Sequence, residues 1–185
     1  LQHFISVHFT CRDLWPRLRE LRRPGMLHFI FNRKVVGVLV AHNFEKGHWV
    51  AQFPFYPPHQ TPEDVTDIEV CETMIRDCLG GESGEGEVME ITMHSADAWV
   101  MNGLVADSFS DPSHRVFLCG DSAHQFPPSG GFGLNAGIQD AHNLAWKLAT
   151  ALNGGASSDL LSSYTPERKQ VCEALRDLSI DNFHR

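Results

Sequence analysis

Basic residues are scarce in this chain. Fifteen Lys and Arg stand against 23 Asp and Glu, a formal net charge of -8 at pH 7. Nucleic acid and anionic membrane surfaces need concentrated Lys and Arg, so both are disfavoured as partners. No hydrophobic run approaches the length of a bilayer span, and no basic-then-apolar stretch opens the sequence; neither a membrane span nor a secretory leader is expected. The five cysteines form an odd count without a Cys-x-x-Cys pair, which argues against a disulfide framework or a zinc knuckle and for a reducing, cytoplasmic setting. Eleven histidines occur without a His-Glu-x-x-His or His-x-His grouping, so no metal site is expected. From Thr61 to Asp111 thirteen Asp or Glu face Arg76 alone, a pattern read as a solvated face.

At 185 residues the chain can bury one domain or parts of two. Its most specific stretch runs from Arg115 to Leu148. Val116 to Cys119 is a short apolar run, the pattern of a strand buried on both faces of a parallel sheet, and Gly120-Asp121 follows at its carboxyl end. Open α/β sheets bind ligands at that edge. An ionised carboxylate only accepts hydrogen bonds, so Asp121 suits the hydroxyls of a sugar or polyol better than a phosphate. Pro127 and Pro128 then fix the backbone, and Gly130, Gly131 and Gly133 allow close approach of main chain to a ligand. From about Leu134 the pattern turns helical, with Ile138, Ala141, Ala145, Leu148 and Leu152 at spacings of three and four and Asn153-Gly154-Gly155 as the stop. The free amides of that helix, with its partial positive end, meet the glycine loop.

This stretch resembles the second flavin-binding motif of the FAD-dependent aromatic hydroxylases, the single-component flavin monooxygenases of the para-hydroxybenzoate hydroxylase and phenol hydroxylase type. Their pattern, Gly-Asp-x-Ala-His-x-x-Pro-Pro-x-Gly-Gly-x-Gly-x-Asn-x-Gly-x-x-Asp-Ala-x-Asn-Leu-Ala-Trp-Lys-Leu, is met at every fixed position from Gly120 to Leu148. The close match covers about residues 112 to 170. The resemblance implies that Gly120-Asp121 receives the ribityl chain of FAD, with Asp121 holding it. It places Pro128 near the reactive edge of the isoalloxazine, and the backbone around Gly131, Gly133, Leu134 and Asn135 on the N1 and O2 side. It implies no catalytic side chain and no metal ligand.

Three rival readings fail on spacing. Gly131-x-Gly133-x-x-Ala136 imitates a dinucleotide fingerprint, but that motif follows its strand directly, whereas about a dozen residues intervene here. Ser122 lacks the glycine two places on that a nucleophile elbow needs; His124 stands there. His124 itself reads as a buried or loop-bracing histidine rather than a catalyst.

The first hundred residues read as an antiparallel sheet. Phe4 to Thr10 places Ile5, Val7 and Phe9 on one face, and runs at Met26 to Phe31, Val35 to Ala41, His48 to Phe55, Val88 to His94 and Trp99 to Ala106 follow between Pro, Gly and Asn turns. A helix interrupts them, with Thr66 and Glu69 as capping box, Ile68, Cys71, Ile75 and Cys78 as stripe and Gly80-Gly81 as stop. Glu82 to Glu87 reads as a solvated loop. The aromatics of this part, including Phe29, Phe31, Trp49, Phe53, Phe55 and Tyr56, fit either a core or the wall of a flat pocket. After the flavin-motif helix, Ser158 to Tyr164 and Thr165-Pro166-Glu167 start one broken or two successive helices carrying Val171, Leu175 and Leu178. The family's Tyr-x-x-Glu-Arg segment is matched by Tyr164, Glu167 and Arg168, while Gln170 stands where a proline is frequent.

The expected fold is therefore α/β (α+β): a substrate-binding antiparallel sheet over residues 1–111, then part of a Rossmann-like FAD-binding domain with C-terminal helices over 112–185. The family places such a sheet directly before its Gly-Asp strand, and Gly37-Val-Leu-Val40, Phe53-Pro-Phe-Tyr56 and Trp99 resemble the phenol hydroxylase branch more loosely. The resemblance implies hydroxylation of a small aromatic, phenolic substrate with FAD, NAD(P)H as reductant and O2; assembly as a homo-oligomer stays open. The alternative is a non-catalytic fragment that cannot hold FAD alone. It rests on the opening at Leu1 in a strand pattern and on the lack of a Gly-x-Gly-x-x-Gly strand-turn-helix for the ADP half of FAD.

Overall fold

The computed structural model describes residues 2–80, 89–155 and 159–184. They fall into two units, Gln2–Val100 and Met101 onward.

The first unit is built on strands β1 (His3–Thr10), β2 (Leu27–Phe31), β3 (Val36–Asn43), β4 (His48–Phe55) and β5 (Thr92–Val100), in the antiparallel order β2-β3-β4-β1-β5. β1 is an interior strand whose alternation turns Ile5, Val7 and Phe9, all fully buried, to one face, and it pairs with the central β4 along its whole length. Its other edge pairs with β5 through a register shift at His8/Phe9. Helices α1 (Leu14–Glu20), α2 (Pro62–Val65) and α3 (Ile68–Cys78) contribute Leu14, Val65, Cys71 and Ile75 to the core beside Trp49, Phe53 and Phe55. The Trp49 indole N–H is buried with them and donates to the Cys11 carbonyl at 3.2 Å, so its burial leaves no polar group unpaired.

Three expectations change here. The capping box is Thr61 with Asp64, one turn earlier than Thr66 and Glu69, and α3 is capped by the Asp67 carboxylate, which accepts from the Glu69 and Val70 amides. Asp67 outcompetes Thr66 because an ionised acceptor suits the positive helix end better than a hydroxyl. Asp67→Ala is expected to cost about 1 kcal/mol, seen as a lower urea midpoint at unchanged slope. Of the expected runs Val88 to His94 and Trp99 to Ala106, Val88 lies outside the described residues, and the rest does not form two separate strands. One continuous β5 carries the polar Ser95 and Asp97 at the sheet edge, and only the short β6 (Leu104–Val105) follows. The expected loop Glu82 to Glu87 lies outside the described residues.

In the second unit β6 pairs with β7 (His124–Gln125), and three helices follow: α4 (Phe132–Leu152), α5 (Asp159–Ser162) and α6 (Tyr164–His184). Phe109, Ala123, Tyr164 and Cys172 form its apolar core. Val116 to Cys119 is not a strand buried on both faces. It is extended, touches Ser110 through an isolated bridge at Phe117, and leaves Val116 63% exposed. An apolar run becomes a sheet interior only where strands pair with it on both sides; here the Phe109–Asp111 segment bonds one side, through the Leu118 amide to the Phe109 carbonyl and the Asp111 amide to the Val116 carbonyl, and the described residues place no strand on the other.

The helical stripes are also displaced. On α4 the buried residues are Ala136, Asp140 and Lys147, while Ile138 and Leu152 of the expected stripe are 60% and 85% exposed. On α6 they are Tyr164, Arg168, Cys172 and Ser179, while Val171 and Leu178 face outward. Lys147 explains the inversion. Fully buried, it reaches the Ser163 hydroxyl and, at 2.8 Å, the Glu167 carboxylate, which also accepts from Asn143 at 2.8 Å. The Lys147 contact is the main cause that holds Glu167 down at about 2. Charges that find such partners can occupy an interior face that hydropathy assigns to leucine and isoleucine.

Candidate functional site

The site begins where the extended segment ends. The Asp111 carboxylate accepts from the Arg115 and Val116 amides at 2.7 Å each and turns the chain into Phe117–Cys119. Gly120 then takes φ +60°, and Gly120–Ser122 forms one 3-10 turn. Asp121 projects from this turn into solvent, and none of the described residues hydrogen-bonds to its carboxylate. Ser122 is occupied: its hydroxyl donates to the Cys119 carbonyl at 2.9 Å and accepts from the Cys119 amide at 3.0 Å, a turn-bracing role that leaves no nucleophile.

Behind the turn stands Asp140, fully buried on α4. Its Oδ2 accepts from His124 Nε2 at 2.7 Å and from the Gly120 amide at 3.2 Å; its Oδ1 accepts from Arg168 Nε at 2.7 Å. The guanidinium also reaches the Ala136 carbonyl and Gln139 Oε1, each at 3.4 Å. Burial alone would raise the Asp140 carboxyl, but its bonds to His124, Arg168 and Gly120 hold it below the usual range. For His124 burial works towards the neutral ring, yet Asp140 and the neighbouring Cys172 together outweigh it and raise it to about 9. The ring stacks on Phe126 with centroids 4.7 Å apart, and its Nδ1 finds no hydrogen-bond partner in the structure. His124 is thus a buried brace, as its sequence context implied.

The glycine loop leads into α4 on the side of the turn. Pro127 is buried and Pro128 exposed. The Gly131 amide donates to the Pro128 carbonyl at 3.0 Å, and Gly131 caps α4 at φ +67°, a conformation that favours glycine. Having no side chain, this cap leaves the first-turn amides unpaired. Asn135 turns its side-chain amide back to the Gly131 carbonyl at 2.8 Å, while Leu134 is 78% exposed. A Cβ added at Gly133 would meet nothing within 4 Å. At Gly137 it would lie 3.3 Å from the Gly120 Cα, so the turn and the helix touch backbone to backbone.

The structure therefore brings the Gly120–Asp121 turn onto the start of α4 and leaves Asp121, Pro128, Gly131, Leu134 and Asn135 open to solvent. Sequence reasoning assigned no role to Asp140, Arg168 or Lys147. The available signal was their charge, at positions where a helix packed along its length needs paired groups.

In the first unit the face of β1 opposite the core carries Phe4, Ser6, His8 and Thr10. Phe4 stacks on Trp99 at 5.3 Å, and Gln52 donates to Ser6 at 2.6 Å while accepting from the Trp99 indole at 3.0 Å. Thr10 bonds His94 at 2.7 Å beside a cleft that His8, His42 and His48 also line. Of the aromatics expected in a core or a pocket wall, Trp49, Phe53 and Phe55 are core, while Phe29, Phe31 and Tyr56 are exposed.

In the second unit an exposed acceptor, Asp121, thus stands beside a helix N-terminus that no side chain caps, a pairing whose chemistry suits hydroxyls and negative charge. The chain belongs to the family of the FAD binding domain, whose pattern matches residues 2–179. It is 40% identical over 179 residues to a putative polyketide hydroxylase of Streptomyces halstedii, covering 94% of this chain and 30% of that protein. To the tetracenomycin A2 monooxygenase-dioxygenase of Streptomyces glaucescens it is 45% identical over 134 residues, covering 72% and 22%. The solved flavin-dependent monooxygenase PieE, in complex with FAD and substrate, superimposes with a TM-score of 0.80 at 28% identity, covering 98% of this chain and 30% of that one. The chain thus spans less than a third of the length of these relatives. Among the described residues no helix is long and apolar enough to cross a membrane.

Proposed function

We propose that these residues supply the ribityl and isoalloxazine side of the FAD site, and a substrate wall, in an NAD(P)H-dependent monooxygenase that hydroxylates a phenolic aromatic ring. The observation that carries the reading is the open, uncapped start of α4 set against a turn that presents the unpartnered Asp121. The residues fit the cofactor. Asp121 would accept hydrogen bonds from ribityl hydroxyls, the amides at Leu134 and Asn135 would favour negative charge on the ring, and Pro128 would border it. When bound, reduced FAD activates O2 and supplies the oxygen atom transferred to the substrate. The chain's own part is to orient the ring, favour its negative charge and exclude water. The Phe4–Trp99 stack with Gln52 and Ser6 offers a flat apolar surface and polar anchors for a phenol. The five unpaired cysteines fit a reducing, cytoplasmic setting.

The test is Gly133→Val in a flavin-loaded protein carrying this chain. Because the added side chain starts in open space, the helix is expected to keep its circular dichroism signal. Flavin occupancy is expected to fall at least about tenfold, the factor that corresponds to losing 1.4 kcal/mol of binding. Full occupancy with normal reduction by NAD(P)H would remove α4 from the cofactor site. A second reading, a chain that binds no FAD alone, is favoured by the lack of a Gly-x-Gly-x-x-Gly strand-turn-helix in the 185 residues. Expressing them alone with excess FAD and removing unbound flavin tests that second reading: colourless protein is expected from it, and retained yellow colour would overturn it.

A further inference from the structure

We propose that Arg168 of α6 is a positioning residue for the flavin-facing turn: through the buried carboxylate of Asp140 it fixes the direction of the Gly120 amide and hence the place of Asp121. The inference rests on the reading of Asp121 as a cofactor ligand and extends the site to a helix that touches no proposed cofactor contact.

The two oxygens of Asp140 are divided between jobs. Oδ1 is taken by Arg168 Nε, and Oδ2 is shared by His124 Nε2 and the Gly120 amide. A carboxylate pinned at one oxygen by a planar guanidinium cannot rotate about its terminal bond, so its second oxygen stays aimed at Gly120. The guanidinium is held in turn by the Ala136 carbonyl and Gln139, both on the first turns of α4.

Gly120 is a residue for which such aim matters. It sits at φ +60°, where the backbone has alternatives close in energy, and its amide orientation sets where the next residue points. Contact with Gly137 blocks movement towards α4, so a released turn can only move outward. None of the described residues hydrogen-bonds the Asp121 carboxylate, so its position follows from the turn, which the Ser122–Cys119 bonds brace from within and the Asp140 carboxylate ties to α4. The Tyr164 hydroxyl, donating to the Leu118 carbonyl at 2.9 Å, anchors the incoming segment from the same helix, two residues before the turn.

The experiment compares Arg168→Met, Arg168→Lys and a control, Lys147→Met, in a flavin-loaded protein carrying this chain. Lys147→Met removes the ion pair to Glu167 between α4 and α6 without touching Asp140. FAD affinity is read by fluorescence titration and the Gly120 amide by nitrogen-edited NMR with hydrogen exchange, the latter also in the 185-residue chain without flavin. Arg168→Met is expected to weaken FAD at least tenfold and to deprotect the Gly120 amide. Arg168→Lys, which restores the charge but not the fork, is expected to recover part of both, and it carries the test if the methionine variant does not fold. Lys147→Met is expected to lower the melting temperature with both readouts unchanged. Wild-type FAD affinity and Gly120 protection in Arg168→Met would overturn the proposal, as would equal FAD loss in Lys147→Met at equal loss of stability. If the unmutated protein takes no flavin, the cofactor reading fails, while the Gly120 amide still decides whether Arg168 positions the turn.

Discussion

Asp140→Ala is expected to destabilise the unit from Met101 onward by roughly 3–5 kcal/mol, the scale of breaking a buried ion pair by removing one partner. Such a loss is a large fraction of the 5–15 kcal/mol that holds typical domains together. The substitution takes the shared carboxylate from the His124 ring and the Arg168 guanidinium, whose side chains are 0% and 9% exposed. It also strands the Gly120 amide. Asp140→Asn keeps the volume and isolates the charge, and urea unfolding measures both.

The same carboxylate gives the stability a pH dependence of definite sign. His124 is raised from its ordinary 6.5 to about 9, with burial opposing and Asp140 and Cys172 together prevailing. A group whose folded value lies above its unfolded value stabilises fully below the unfolded value and stops doing so as pH rises through the folded one. The urea midpoint is therefore expected to fall between about pH 6.5 and 9, and Asp140→Asn is expected to reduce that slope. A flat profile in the unmutated chain would mean that His124 does not carry the extra proton.

Asp121→Ala is expected to act in the opposite way. The side chain is exposed and bonded to nothing described, so unfolding should be unchanged within about 0.5 kcal/mol. FAD binding in a flavin-loaded protein should weaken by roughly 1.5–3 kcal/mol, the value of a hydrogen bond to a charged group. Fluorescence titration reads it directly, and wild-type affinity would remove Asp121 from the ribityl site. The two acids, nineteen residues apart in one motif, thus differ: Asp140 moves stability and, through the Gly120 turn, the ligand, whereas Asp121 moves only the ligand.

Period and partnership explain what was legible in advance. β1 and β4 were readable because Ile5, Val7 and Phe9, and Trp49, Ala51, Phe53 and Phe55, recur with a period of two on one buried face, Val50 being buried as well. The start of α4 was readable from Gly130, Gly131 and Gly133, since two of them take positive φ where other residues would be strained. Val116 to Cys119 misled because an apolar run states what a strand would like and not whether neighbours are there to pair with it. The stripes of α4 and α6 misled because hydropathy counts Asp140, Lys147 and Arg168 as outward residues, and only their mutual geometry turns them inward. β5 was split in two because Ser95 and Asp97 look like a break, although a sheet edge tolerates them.

The inward charge of α4 and α6 has a thermal consequence. Exposing apolar surface raises the heat capacity on unfolding, and exposing polar surface lowers it. The sheet unit, with Trp49, Phe53, Phe55, Ile5 and Ile75 in its core, unfolds with a strongly curved dependence of stability on temperature. The helical unit hides Lys147, Asp140 and Arg168 while Leu134, Ile138, Leu152 and Leu178 already face water, so its curve is expected to be flatter. Cooling weakens hydrophobic cohesion in the sheet, whereas the helical seam, held by charge and hydrogen bonds, gives up much less of its grip in the cold.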